Sequence, residues 1–348
     1  MADIEIRKEG RAGRITLTRP KALNALSYAM CLEVDAALIG WASDPDVALI
    51  LIDAEGERAF CAGGDIAEMY ATGTKGDYSY GRTFWFDEYR MNARIADYAK
   101  PVVSFLQGFT MGGGVGLGCH GSHRIVGESS LIAMPECGIG LVPDVGGSFI
   151  LATAPGHLGE YAGTTGARMG PADAILTGFA DSFVPEADWG ALKARLVETG
   201  EVVAIGTATR PAPDGTFAAL QDQIDRHFGQ PTLAGIARSL QGDDSDFAAQ
   251  ALRALGRAAP LSAACTIAMI RALRGNATLH AALMQEYRFT FRAMEHADFL
   301  EGIRAQIIDK DRNPQWRHGG LDAVPEGDVA RMLAPLGPDE LTFGEDNP

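Results

Sequence analysis

The sequence lacks the long apolar runs and targeting segments that would mark a membrane or exported protein. No stretch approaches the ~20 uninterrupted apolar residues of a membrane-spanning helix. The first residues, MADIEIRKEG, have neither the apolar run of a signal peptide nor the Arg-rich amphipathic pattern of a transit peptide. We therefore expect a protein with no membrane partner.

Positive charge is also scarce. Lys and Arg total 30 against 45 Asp and Glu, which gives a formal net charge of −15. Attraction to nucleic-acid phosphates needs a basic field, so the composition argues against a nucleic-acid partner. A local basic pocket for one phosphorylated ligand remains compatible with this charge.

Cysteines are few, odd in number, far apart and without a CxxC pair. A reducing compartment without disulfides is the simplest interpretation, and it predicts a cytoplasmic location. The seven histidines are dispersed, so no metal site is expected. The five cysteines are Cys31, Cys61, Cys119, Cys137 and Cys265.

Apolar residues are plentiful, at 47% of the 348 residues, which is enough for a sizeable core. Glycine is the outlier, with 42 residues, where an average content of ~7% predicts about 24. These glycines follow no collagen period, so we expect many to lie where a Cβ would obstruct the backbone. At ~150 residues per domain, the length suggests about two domains.

The first half of the chain alternates predicted strands and helices. This alternation predicts an α/β catalytic core over residues 1–185. A hairpin is expected around Gly10–Gly13, and Ser27 is placed to cap a helix that continues to about Trp41. Further strands are predicted at 47–52, 101–105, 124–126 and 131–133, and helices at 78–98 and after the triple glycine at 112–114.

The second half has a different character. Segment 204–215 is rich in Gly, Pro, Thr and Ala and is typical of a linker or surface excursion. The last ~30 residues are expected to wrap the surface or fray. We therefore predict a mainly helical C-terminal region, 186–348, that packs on the core. Its predicted helices cover 216–228, 231–240, 244–256, 260–273, 277–295 and 298–308.

Two glycine-rich segments could present backbone amides to a ligand. In the segment 60–65, a glycine pair would let a ligand approach the main chain, and Asp65 is placed to cap the next helix. The alternative is an ordinary turn between strand and helix. In the segment 108–116, three consecutive glycines could expose an N–H group, although close helix packing would also require them.

A third segment, 134–147, carries two carboxylates among uncharged residues. Because burying an uncompensated carboxylate is costly, Glu136 and Asp144 suggest a lined cavity. Asp144 could instead be a plain helix cap, whereas Glu136 has no such alternative. Together, the amides could polarise a carbonyl while a carboxylate acts as acid, base or nucleophile. This combination suits acyl chemistry, particularly that of a thioester.

These segments resemble the crotonase superfamily, also called the enoyl-CoA hydratase/isomerase superfamily. The resemblance runs from Ile4 to about Val184, through LTRPKALNAL, AFCAGGDI, GFTMGGGVGL and MPECGIGLVPDVGGS. It implies an α/β fold built as a spiral of ββα units and a CoA thioester ligand. It also implies an oxyanion hole formed by the amides of Gly64 and Gly113.

Departures from the hydratase pattern narrow this resemblance. Enoyl-CoA hydratases carry a glutamate just after the triple glycine, where this chain has Gly116. Asp144 stands where hydratases have a glycine, in Pro-Asp-Val-Gly-Gly, eight residues after Glu136. This pattern, the segment FDEY at 86–89 and the tail at 286–316 resemble the 3-hydroxyisobutyryl-CoA hydrolase branch.

The resemblance implies hydrolysis of a short 3-hydroxyacyl-CoA, foremost 3-hydroxyisobutyryl-CoA of valine catabolism, to the free hydroxy acid and CoA. Glu136 would attack the carbonyl or activate a water, and Asp144 would orient the substrate or assist proton transfer. Glu88 would line the acyl pocket. No cofactor or metal is expected beyond CoA, the acyl-CoA is the expected partner, and a homo-oligomer is possible. The CoA arm is expected near Lys21, Ala22, Leu23, Ala62, Asp65 and Ile66.

Two other functions stay open at this stage. The chain could be an enoyl-CoA hydratase or isomerase that uses Glu136 alone as a proton shuttle. It could also be a non-catalytic acyl-CoA-binding protein, in which substitution of Glu136 would alter nothing except folding. Activity on enoyl-CoA and on 3-hydroxyacyl-CoA thioesters separates these alternatives.

Overall fold

The computed structural model describes residues 2–344, and its centre is a pair of β-sheets. A large sheet has the strand order β1-β2-β3-β5-β7-β9, and a small sheet has the order β4-β6-β8. The strands are β1 (Ile4–Glu9), β2 (Ala12–Leu17), β3 (Leu49–Ala54), β4 (Ala59–Cys61), β5 (Val102–Phe105), β6 (Phe109–Met111), β7 (His123–Val126), β8 (Leu131–Ala133) and β9 (Ser182–Phe183).

Helices follow pairs of strands in the first half and fill the second half. They are α1 (Tyr28–Ala42), α2 (Ala67–Gly73), α3 (Ser79–Ala96), α4 (Gly113–Gly118), α5 (Gly147–Thr153), α6 (Leu158–Thr165), α7 (Pro171–Leu176), α8 (Glu186–Thr199), α9 (Val203–Ala208), α10 (Phe217–Phe228), α11 (Leu233–Gln241), α12 (Asp246–Leu255), α13 (Pro260–Leu273), α14 (Leu279–His296), α15 (Phe299–Ile303) and α16 (Glu326–Leu333).

Successive ββα units build the two sheets. In each unit the first strand joins the large sheet and the second joins the small sheet, as β3 and β4, β5 and β6, and β7 and β8 show. Apart from the antiparallel hairpin of β1 and β2, neighbouring strands pair in parallel. The predicted α/β spiral of ββα units is confirmed.

The large sheet has apolar side chains on both faces. Along β3, Ile50 and Ile52 belong to the main core, whereas Leu49 and Leu51 belong to a second cluster with Trp189 of helix α8. Alternate residues of a strand point to opposite faces, so α8 covers the outer face of this sheet. The continuous apolar run of β3 is therefore the signature of a strand that is buried on both sides.

Most predicted elements are confirmed, with displaced ends. Helix α1 begins after Ser27, whose hydroxyl accepts a hydrogen bond of 3.3 Å from the amide of Met30. The strand predicted at 47–52 begins at Leu49. The linker predicted at 204–215 is wrong in its first part, because helix α9 extends to Ala208.

The C-terminal helices share the main core with the first half. Buried residues on both sides of residue 185, from Ile4 to Leu341, form one apolar cluster. The tail wraps the surface as helix α16 and buries Met332. The boundary at 185/186 stays a prediction. Within residues 2–344, no helix has the length and apolarity needed to cross a membrane.

Candidate active site

The small sheet brings the three predicted segments together. Strand β6 lies between β4 and β8, with Thr110 opposite Cys61 and Met111 opposite Ala133. Because the three strands are parallel, their carboxyl ends meet at one edge. The glycine pair, the triple glycine and the segment of Glu136 each follow one of these ends.

Two backbone amides at this edge have no acceptor in the described residues. Leu26 donates to the carbonyl of Gly63 at 2.9 Å and accepts from Asp65 at 2.8 Å, so the intervening N–H of Gly64 points to the opposite side. Gly113 is the first residue of α4, where an N–H has no partner within the helix. Within the described part of the chain, neither amide donates a hydrogen bond.

Close approach explains the glycines at these positions. A Cβ added to Gly113 would lie 3.3 Å from the nitrogen of Gly64, so the two residues are direct neighbours. A Cβ on Gly112, whose φ is +49°, would lie 2.9 Å from Oε1 of Glu136. Glycine therefore lets the carboxylate of Glu136 approach the backbone beside the two amide donors.

Glu136 opens a short 3-10 helix, Glu136–Ile139, directly after strand β8. The residue is only 4% exposed, and its Oε2 has no hydrogen-bond partner among the residues described. Burial, followed by the negative charge of Asp144, raises the pKa of Glu136 well above its ordinary value. A buried carboxyl with a raised pKa can hold or transfer a proton at neutral pH.

Asp144 lies in the turn before helix α5 and is equally buried. The hydroxyl of Tyr89 donates to its Oδ2 at 2.7 Å. Burial raises the pKa of Asp144 to about 7, against the effect of the Tyr89 hydrogen bond. The alternative of a plain helix cap is wrong, because α5 begins after Gly146 without a side-chain cap.

Glu88 approaches the same edge from helix α3. Its Oε1 would lie 3.0 Å from a Cβ on Gly113, and this oxygen is buried without a hydrogen-bond partner in the described residues. Burial and then the charge of Asp144 raise the pKa of Glu88 well above its ordinary value. Three buried carboxyls thus line the same cavity as Gly64 and Gly113.

A cavity of about 240 Å³ lies at this edge. Seven predicted residues line it: Ala62, Gly64, Ile66, Glu88, Gly113, Glu136 and Asp144. Its apolar wall includes Trp85 and Met111 from the core and Ile307 from the C-terminal region. The cavity can take a small acyl group with polar atoms at one end, as ligand sites commonly do.

Four predicted binding residues lie outside the cavity lining. Lys21 and Ala22 are exposed, and Leu23 reaches the cavity wall only through its carbonyl, which accepts the amide of Ala62 at 3.0 Å. The prediction that Asp65 caps helix α2 is wrong. Its carboxylate binds Arg19 at 3.2 Å instead, and Ile66 directly precedes the helix. Contact of these residues with a ligand stays a prediction.

Gly116 has no room for a side chain. A Cβ there would lie 2.7 Å from Nδ2 of Asn92 and 2.8 Å from Cβ of Val145. Real Cβ atoms do not approach neighbours so closely, so a side chain at this position would displace the side-chain amide of Asn92 and the turn at Val145. The packing around Gly116 therefore leaves no space for the glutamate that hydratases carry at this position.

Sequence reasoning missed the residues that support Asp144. Tyr89 is adjacent to the predicted Glu88 and binds Asp144 directly. Glu286 of helix α14 is completely buried and accepts the amides of Gly146 and Ser148. The available signal was a glutamate at helical spacing from Leu279, Leu283 and Thr290, on the buried face of α14.

Comparisons with known proteins identify the family of this chain. The enoyl-CoA hydratase/isomerase family profile matches residues 12–333. The mitochondrial 3-hydroxyisobutyryl-CoA hydrolase of Gallus gallus is 36% identical over 353 residues, which cover 98% of this chain and 91% of the relative.

Two solved structures are similar over nearly the whole chain. An enoyl-CoA hydratase from Rhodobacter sphaeroides 2.4.1 has 59% identity and a TM-score of 0.95, and covers 98% of this chain and 100% of its own. A carnitinyl-CoA dehydratase from Mycobacterium thermoresistibile has 38% identity and a TM-score of 0.94, covering 99% and 100%.

Proposed function

Since this chain belongs to the enoyl-CoA hydratase/isomerase family, within the 3-hydroxyisobutyryl-CoA hydrolase branch, we propose that it hydrolyses short 3-hydroxyacyl-CoA thioesters. The substrate is 3-hydroxyisobutyryl-CoA, and the products are the free hydroxy acid and CoA. The name of the Gallus gallus relative supports this substrate. The pathway that this reaction serves is valine catabolism.

The amides of Gly64 and Gly113 bind the thioester carbonyl oxygen. Both N–H groups lack an acceptor among residues 2–344, and their residues are in direct contact. As a nucleophile adds to the carbonyl carbon, negative charge develops on this oxygen, and two fixed donors stabilise it. The role of oxyanion hole is thus a property of the backbone, and side-chain substitutions elsewhere leave it in place.

Glu136 supplies the reacting carboxylate by one of two routes. In the first, a carboxylate oxygen adds to the carbonyl carbon, the C–S bond breaks, and water then cleaves the mixed anhydride. In the second, Glu136 takes a proton from water, the hydroxide adds, and the C–S bond breaks. The CoA thiolate accepts a proton in both routes. A single turnover in ¹⁸O-water labels Glu136 only in the covalent route, when water attacks the Glu136 carboxyl carbon of the anhydride. Attack at the acyl carbon places the label in the hydroxy acid, as the second route does.

Asp144 supports proton transfer during these steps. Two unpaired carboxyls in one buried site cannot both ionise readily, so the pair with Glu136 holds a proton at neutral pH. One member can therefore serve as the acid while the other acts as base or nucleophile. Glu88, beside Gly113, is placed to accept a hydrogen bond from the hydroxyl of the acyl group.

Gly116 is the observation that favours hydrolysis over hydration. A hydratase mechanism uses two glutamates, and this chain has no side chain and no room at the first position. Because one solved relative is named an enoyl-CoA hydratase, hydration and hydrolysis must be compared by experiment. Thioester hydrolysis needs no acid at that position, because Glu136 supplies the nucleophile or base, the two amides bind the oxyanion, and Asp144 supports proton transfer.

The test is release of free CoA thiol from a panel of acyl-CoAs, followed with a thiol reagent. We expect turnover of 3-hydroxyisobutyryl-CoA to exceed hydration of crotonyl-CoA by at least about 100-fold in kcat/KM, because hydration lacks one acid–base group. Crotonyl-CoA serves as the matched control. Clear hydration of crotonyl-CoA without thiol release would replace this proposal with the hydratase function.

Location, assembly and cofactors stay predictions. The five cysteines are buried and free, and the sequence predicts a cytoplasmic location, whereas the Gallus gallus relative is mitochondrial. A homo-oligomer is possible, and no cofactor beyond the CoA of the substrate is expected.

A further inference from the structure

The turn that carries Asp144 has a strained backbone. Val145 has a φ of +53°, in the left-handed region that β-branched residues rarely adopt, and Gly146 follows with a φ of +82°. The amide of Gly147 closes the turn on the carbonyl of Asp144 at 2.7 Å. A strained conformation persists only where the surrounding structure determines it.

Glu286 forms hydrogen bonds to this turn and to the start of helix α5. Its Oε2 accepts the amide of Gly146 at 2.7 Å, and its Oε1 accepts the amide of Ser148 at 2.9 Å together with the Ser148 hydroxyl. Each of the two carboxyl oxygens accepts a backbone amide, whereas a side-chain amide offers only one accepting atom. The residue lies 140 positions from Gly146 in sequence and comes from the C-terminal helices.

His120 holds the turn from the other side. Its Nε2 lies 2.7 Å from the carbonyl oxygen of Val145. Burial lowers the pKa of His120 to about 4, so the ring is neutral at pH 7 and Nε2 carries the hydrogen that it donates. The backbone around Asp144 is thus fixed by hydrogen bonds from two separate elements.

Helix α14 also supports the side chain of Asp144. The ring of Tyr287 packs edge-to-face on the ring of Tyr89, with centroids 6.2 Å apart. Tyr89 in turn donates to Asp144. Two consecutive residues of one C-terminal helix therefore set the position of this carboxylate, through its backbone and through its hydrogen-bond donor.

We propose that Glu286 is a positioning residue that holds the strained turn 144–147 and so places Asp144 for thioester hydrolysis. This inference rests on the proposed function. It assigns a role in the reaction to the C-terminal helices, which contribute no carboxyl to the cavity lining in the described residues.

Glu286→Gln tests the proposal, with Glu295→Gln as the matched control. Glu295 lies on the same helix, is 42% exposed, and does not line the cavity. We expect Glu286→Gln to lower kcat per folded molecule about 10- to 100-fold, with KM changed less than about twofold, because a displaced catalytic group costs turnover. Glu295→Gln keeps both constants.

A purely structural role of Glu286 predicts a different result. It predicts a lower melting temperature and an unchanged kcat per folded molecule, measured well below the melting temperature, and this outcome overturns the proposal. If Glu286→Gln does not fold, Glu286→Asp decides, since it keeps the carboxyl group but withdraws it by one methylene. We expect the same separation of kcat from KM with a smaller fall, and kcat within twofold of wild type overturns the proposal.

The proposed function and the positioning role fail separately. Absence of thiol release by the wild-type protein contradicts the proposed function. In that case a crystal structure of Glu286→Gln still tests the support of the turn. Retention of φ near +53° at Val145 then overturns the positioning role, whereas a rearranged turn supports it.

Discussion

Buried carboxyls occur in two contrasting settings in this molecule. Asp53, on the outer face of the large sheet, binds Arg14 at 2.7 Å and Lys193 at 2.9 Å. Burial pushes its pKa upward, but the two cations outweigh that effect and hold the pKa of Asp53 below its usual value. At the cavity, Glu136 and Asp144 have no cation partner among residues 2–344, and their pKa values are raised.

The contrast separates carboxyls that stabilise the fold from carboxyls that can react. A paired carboxylate is ionised at all ordinary pH values and is chemically inert, and it joins helix α8 to the sheet in the case of Asp53. An unpaired buried carboxyl is costly for folding but can gain and lose a proton near neutral pH. Burial by itself does not distinguish these roles, whereas the partners of the carboxyl do: cations hold Asp53, and backbone amides hold Glu286.

The largest expected effect tests the reactive side of this comparison. We expect Glu136→Gln to lower kcat for thiol release by about 100-fold or more, because it removes the nucleophile or general base. Steady-state kinetics on 3-hydroxyisobutyryl-CoA measure it. Near-wild-type turnover in a folded Glu136→Gln protein would show that Glu136 takes no part in the reaction. The cavity carboxyls would then have no demonstrated reactive role.

The structural side predicts the opposite pattern for Asp53→Asn. We expect the free energy of unfolding to fall by about 2 kcal/mol, because Arg14 and Lys193 lose their buried counter-charge while keeping partial solvent contact. Urea unfolding measures the change, and kcat per folded molecule should stay within about twofold. A large loss of turnover without loss of stability would erase the distinction between the two settings.

The smallest effect is a pH dependence of stability. The folded protein raises the pKa of Asp144 from 3.8 to about 7 and that of Glu286 from 4.5 to about 8, burial being the main cause of both. The folded state thus binds more protons than the unfolded state between about pH 4 and 8, so these groups make stability fall as pH rises through that window.

Asp144→Asn should flatten this dependence. Since one pKa unit corresponds to about 1.4 kcal/mol, we expect the variant to gain on the order of 1–2 kcal/mol relative to wild type between pH 6 and pH 8. Urea unfolding at the two pH values measures the difference. Asp53→Asn is the control, because a lowered pKa contributes stability that is lost only when pH falls below about 4. Equal slopes in wild type and Asp144→Asn would contradict uncompensated burial of Asp144.

Much of this site could be predicted from the sequence, because the signals for it lie within short segments. Glycines in runs predicted backbone donors, and two carboxylates in an apolar segment predicted a cavity, and the structure brings both features to one edge. Strand β8 was predicted at 131–133, whereas the short strands β4 and β6 were not, since three residues are too few to show a period. The cap assigned to Asp65 failed because Arg19, distant in sequence, competes for its carboxylate.

Sequence alone determined the α/β class, the order of the elements and the residue types that can react, because these follow from short-range periodicity and chemical identity. Tertiary structure decided which carboxyls lie without a cation, that Asn92 and Val145 fill the space beside Gly116, and that Glu286 binds the turn of Asp144. These facts depend on distances between residues that are far apart along the chain, and no local pattern encodes such distances.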